Sequence, residues 1–149
     1  MRASEALSLS YGSLGRMREI EAALEVMRGR VGGTSHGMGI KIDRNIILDP
    51  MRMADQLIEH EADMEREAAL CKMDVDEARA VCRGAADVIG PSAARALELH
   101  FCDGLDAHTI ALRLGYPREA VDVLLEDGPA TLDACEYGRL LERGRRMVA

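Results

Sequence analysis

The sequence predicts an all-α protein: a helical N-terminal half, then a helix-turn-helix unit closed by a C-terminal helix. Composition is the first reason. Ala, Leu, Met, Glu and Arg dominate, aromatic residues make up only 3%, and there is no Trp; such a mixture favours helices and offers little that prefers a strand. The second is periodicity, because apolar residues recur at steps of three and four through most of the chain. The third is punctuation. Glycine, proline and aspartate cluster at a few places and divide the 149 residues into blocks. With 48% hydrophobic residues, a chain of this length can bury one core, with or without a helical extension.

In the first block Leu14, Met17, Leu24, Met27 and Val31, with Ile20 beside them, mark an amphipathic helix over residues 5–29. A glycine-rich loop over 29–48 follows. Its "GRVGGTSHGMG" has no Ser or Thr after Lys41, so it is not a phosphate-binding loop of the G-x-x-x-x-G-K-[ST] kind. "IKIDRNIIL" is the only strand candidate, over 41–48; lacking a partner strand, it is expected as an extended arm. Asp49-Pro50 then reads as a helix start, an N-cap followed by proline at the first helical position.

From Ala54 a seam of Leu57, Met64, Ala68, Cys71, Val75, Ala78, Cys82, Ala85 and Ile89 steps by three or four, interrupted only by Glu61. Asp74 and Glu77 resemble a capping box, which predicts two helices meeting near Lys72 rather than one rod. The seam is either an intramolecular core or the surface of a homodimer. Glu59, Glu61, Asp63, Glu65 and Glu67 on its outer side read as a solvated face. Residues 1–89 thus form a helical N-terminal region, and Gly90-Pro91 opens a second region over 90–149.

Three short segments follow. "PSAARALELHFCDG" is a helix with Ala94, Leu97, Leu99 and Phe101 as apolar contacts. Asp106 caps "LDAHTIALRLG", whose buried stripe is Ile110, Ala111 and Leu114. "YPREAVDVLLED" buries Val121, Leu124 and Leu125. This is the spacing of a helix-turn-helix. A small residue, Ala111, sits where two steeply crossed helices meet, and Gly115, four residues on, allows the tight turn between them.

The stretch "ALELHFCDGLDAHTIALRLGYPREAV" resembles the region 4 helix-turn-helix of sigma-70 factors, in the variant of small phage regulators of the RinA and ArpU type. The likeness covers residues 91–121. It implies a DNA-binding transcription regulator whose reading helix follows Gly115. The residues it points to are Arg113, Tyr116, Arg118, Glu119 and Asp122, joined from the C-terminal helix by Arg139 and Arg143, with Arg145 and Arg146 nearby. Arg95 is a further phosphate candidate. Three features depart from the family. Pro117 stands where a capping serine is usual, and the recognition helix is acidic, with Glu119, Asp122, Glu126 and Asp127 against Arg118. Gly128-Pro129 is expected to interrupt the helix beyond them.

Charge narrows the classes. The net charge of −7 excludes a protein that coats nucleic acid by bulk electrostatics, so DNA contact would need a local patch. Carboxylates on the recognition helix admit an alternative, an acidic module that binds RNA polymerase, a repressor or a host defence protein. The four cysteines form no C-x-x-C pair and are expected reduced, in a cytoplasmic protein with neither membrane span nor secretory leader. His100, Cys102 and His108 lie close in sequence but lack a fourth ligand, so no metal is expected. No cofactor and no catalytic constellation are expected either; the expected partners are double-stranded DNA and a second copy of the chain.

Overall fold

In the computed structural model, which describes residues 1–31 and 50–148, the protein is all-α. The described residues form α1 (Ala3–Val31), α2 (Pro50–Gly84), α3 (Ala86–Ile89), α4 (Pro91–Phe101), α5 (Ala107–Leu114), α6 (Arg118–Leu132) and α7 (Tyr137–Val148). The strand candidate and most of the glycine-rich loop lie outside them. The first helix runs beyond both expected ends, so Gly29 is still helical.

The buried stripe of α1 starts earlier than its apolar residues suggest. Ala3, Leu7, Ser10, Ile20 and Leu24 are buried, with Leu14 and Met17 half-buried between them. Ser10 can sit on this stripe because its hydroxyl donates to the Phe101 carbonyl at 2.9 Å, and Ser13 donates to Asp74 Oδ2 at 2.9 Å.

That second bond helps explain a correction. The expected break near Lys72 is absent, and α2 is one helix from Pro50 to Gly84. Asp74 is taken by Ser13 on α1, and Glu77 accepts from the Tyr137 hydroxyl on α7. The two residues of the apparent capping box therefore serve tertiary contacts in mid-helix. The real break comes at Gly84–Ala85, after which α3 makes a single turn. Gly90, at φ 94°, then lets the chain enter α4 with Pro91 in its first turn.

The seam of α2 divides in two. Its later half, Cys71, Val75, Ala78, Cys82 and Ala85, is intramolecular core. The main cluster joins the last four of these and Val81 to Ala3 and Leu7 of α1, Leu97 and Cys102 around α4, Leu132 of α6 and Leu140 of α7. Its earlier half is open. Leu57 is exposed, and with Met64, His60, Ala22, Ala23, Val26 and Met27 it lines a shallow groove between α1 and α2. Glu61, the polar interruption, is paired with Arg28 at 3.1 Å, and Arg16 pairs with Glu67 at 2.6 Å.

The α2–α7 crossing rests on two glycines. A Cβ on Gly84 would fall on the Leu140 carbonyl, and one on Gly144 would fall on the Ala80 carbonyl. Ala80 and Gly84, four apart on α2, and Gly144 on α7 thus let the backbones touch. At the other end of α6, Ser4 donates to Asp133 through its amide (2.8 Å) and its hydroxyl (2.5 Å), tying α1 to the start of the last connection.

Candidate nucleic-acid interface

Helices α4, α5 and α6 enclose a second, smaller core of Ala96, Leu99, Ile110, Ala111 and Val121. Leu105, Leu114, Leu124 and Leu125 pack half-buried around it. Local chemistry builds each corner of this unit. At the end of α4, the Leu105 amide reaches back to the Leu99 carbonyl at 3.0 Å, and His100 Nδ1 bonds the Leu105 carbonyl at 2.8 Å. Gly104 takes φ 73°, which favours glycine at this turn, and the mobile end of the Arg18 side chain of α1 lies beside it.

Asp106 then caps α5. Its carboxylate accepts from the Thr109 amide at 2.7 Å, and its bonds to Thr109 hold its pKa below the usual carboxylate value. Gly115 closes α5 in the left-handed conformation, φ 71° and ψ 28°, and its amide and that of Tyr116 both reach the Ala111 carbonyl. The turn, the small residue and the glycine stand where the spacing predicts.

Pro117 is the N-cap of α6, in extended conformation and without a side-chain acceptor, as the missing serine implies. The helix does not stop at Gly128-Pro129, however; it continues to Leu132. Gly128 is buried with Leu97 Cδ2 only 3.1 Å from its would-be Cβ, and the Thr131 hydroxyl donates to the Asp127 carbonyl at 3.0 Å. Packing on α4 and this extra bond carry the helix past a proline that removes one backbone donor.

The outward residues of this unit are Arg113, Tyr116, Arg118, Glu119, Asp122, Val123, Glu126 and Asp127, all exposed. Arg118 is near enough to Asp106 to favour its ionised form. Tyr116 borders a small apolar hollow with Ala93, Ala120, Val121 and Leu124. The other two sequence-selected residues stand apart. Arg139 and Arg143 lie on α7, which packs on α2, and they are reached only after the full length of α6, about 22 Å of helix beyond Arg118. Arg139 pairs with Glu136 at 3.0 Å and Arg146 with Glu142 at 2.5 Å.

Sequence reasoning missed the group that fixes this unit in place. Glu98 on α4 is buried, its side chain 5% exposed, and three guanidinium groups surround it: Arg79 at 3.0 Å, Arg83 at 3.4 Å and Arg95 at 3.3 Å. Arg79 also bonds Asp103 at 2.8 Å, so one α2 side chain holds both α4 and the turn after it. Arg95, a phosphate candidate, is thus engaged within the fold. The one sequence signal was a charge on an otherwise apolar helix face. Beside this cluster, Cys82 and Cys102 are buried together; the hydrogen bond to Cys102 and burial raise the Cys82 thiol well above its usual value. His100 stacks on Tyr11 (centroids 5.0 Å) while His108 is exposed, and no group of three or more His, Cys, Asp or Glu among the described residues is arranged to hold a metal ion. No helix among them is long and apolar enough to cross a membrane.

No protein-family model, curated protein or solved structure matches the chain.

Proposed function

We propose that the chain is a DNA-binding transcription regulator of the phage type, reading duplex DNA through α6. The observation that carries this reading is the α4–α6 unit itself. The Ala111–Gly115 turn sets α6 across α5, and the first turns of α6 present a face that is exposed among the described residues. The resemblance to sigma-70 region 4 supports it. Arg118, in the first turn, is the residue expected at a base edge, with Arg113 and the Tyr116 hydroxyl toward the backbone. A single short reading helix rarely suffices, so we include a homodimer, formed through the open groove at Leu57 and Met64. Leu57→Asp with Met64→Asp should give monomers by sedimentation.

The acidity of α6 favours a second reading, an interaction module for a basic protein surface. One titration separates the two. Wild type, Arg118→Ala and the pair Asp122→Asn with Glu126→Gln are measured against a mixed duplex pool at two salt concentrations. For the regulator, Arg118→Ala costs about 1–3 kcal/mol, and the neutral pair binds non-specific DNA more tightly because phosphate repulsion is gone. With only two or three cationic contacts per copy, and so four to six in the homodimer, log K should fall against log salt with a slope of about −4 to −5. No DNA affinity at low salt in any of the three proteins overturns the regulator.

A further inference from the structure

Within α6 the distribution of side chains around the axis points to a preference for particular bases. At about 100° per residue, Glu119, Val123 and Glu126 share an arc of roughly 60° centred opposite the buried Val121. They form the ridge farthest from the core, where a helix lying in a groove meets the groove floor. Val123 is 57% exposed on that ridge, an apolar side chain set between carboxylates. Asp122 and Arg118 lie to one side of it.

Each of these groups has few complements in the major groove. A carboxylate only accepts, and repels phosphate, so on this ridge its partners are the exocyclic amino groups, of which cytosine N4 is the usual one for Glu. A valine offers methyl groups alone, and the one apolar feature of the groove floor is the C5-methyl of thymine. From Glu119 to Val123 is four residues, about 6 Å of rise, close to two base steps of about 3.4 Å each.

We infer that Val123 is a specificity-determining residue that reads a thymine methyl, with Glu119 accepting from a cytosine about two steps away. The preferred site is then pyrimidine-rich on the strand facing α6. This rests on the DNA-reading proposal and adds the bases to it.

The test uses the full chain and two randomised duplex pools, one containing thymidine and one with deoxyuridine in its place, which removes only the C5-methyl. Sequences enriched by the wild type are re-measured in both forms with wild type and Val123→Ala, an exposed substitution that alanine's helix propensity favours. The expected loss on removing the methyl is about fourfold for the wild type, the equivalent of about 0.8 kcal/mol for one buried carbon, and clearly smaller for Val123→Ala, which keeps only its shorter β-methyl. Glu119→Gln should relax the choice at the cytosine position while leaving the thymine effect intact. If the wild type enriches a sequence but binds the thymidine and deoxyuridine forms equally, or if Val123→Ala discriminates as strongly as the wild type, the inference is overturned and DNA reading stands. If no pool is bound even at low salt, both fall together.

Discussion

Replacing Gly144 by alanine sets two effects of opposite sign against each other. In an open helix, Gly→Ala stabilises by about 0.5–1 kcal/mol, since alanine loses less backbone entropy. Gly15, in mid-α1 with nothing within 4 Å of its would-be Cβ, is such a position. At Gly144 the added carbon would coincide with the Ala80 carbonyl, a backbone group that cannot rotate aside, so α7 must lift from α2. Forcing an extra carbon into a packed contact costs about 1–3 kcal/mol. Lifting also uncovers Leu140, now 2% exposed, whose burial contributes a further 1.5–3 kcal/mol or so. Even with the alanine gain, the balance is a loss of about 2–5 kcal/mol. Urea unfolding followed by far-UV circular dichroism, with Gly15→Ala alongside, measures both signs. Gly144→Ala as stable as wild type would refute the account of the crossing.

Other substitutions test the remaining joints. Glu98→Ala leaves three guanidinium groups facing a void; because these are 27%, 36% and 50% exposed and can regain water, the loss should be about 2 kcal/mol, below the range for fully buried pairs. Urea unfolding of this variant at wild-type stability would remove the clamp. Asp133 has its folded pKa pulled below 3.8, first by the Ser4 hydroxyl and then by the Ser4 amide. Its contribution is therefore complete above the unfolded value and is lost as pH falls through the folded one. Asp133→Asn should be less stable at neutral pH and flatter below about pH 4, and an unchanged acid limb would contradict this. Among the four free thiols, half-buried Cys135 should react with a thiol reagent ahead of buried Cys71, Cys82 and Cys102; mass mapping that finds Cys82 first would reverse it.

The α4–α6 unit was legible because its determinants are local. Asp106 caps the helix it starts, Gly115 ends it, and Ala111 lies one helical turn before, so neighbours in sequence carry the information. Burial settled by distant partners was not legible. Ser10 and Ser13 look polar until Phe101 and Asp74 arrive to accept from them. Glu98 looks solvated until Arg79 and Arg83 close over it, and nothing near Gly84 in sequence announces that it also seats α7. The capping-box signature at Asp74 and Glu77 failed for the same reason, since partners on α1 and α7 outbid a local role. Of the interface residues, the five around α5 and α6 are all exposed, whereas Arg139 and Arg143 belong to a helix docked on α2.

The main core has an implication for how the chain comes off the ribosome. It unites Ala3 and Leu7 with Leu132 and Leu140, and Ser4 with Asp133, so its first and last contributors are separated by nearly the whole sequence. While synthesis proceeds, α1 and α2 can pair, but the cluster around Val75, Ala78 and Cys82 stays incomplete until Leu97, Cys102, Leu132 and Leu140 have emerged. The nascent chain therefore carries an incompletely covered hairpin until α7 is made, and the packing of this core is completed only by that helix. A ribosome stalled before residue 137 would hold a species prone to capture by chaperones, even though every residue of the helix-turn-helix had already been made.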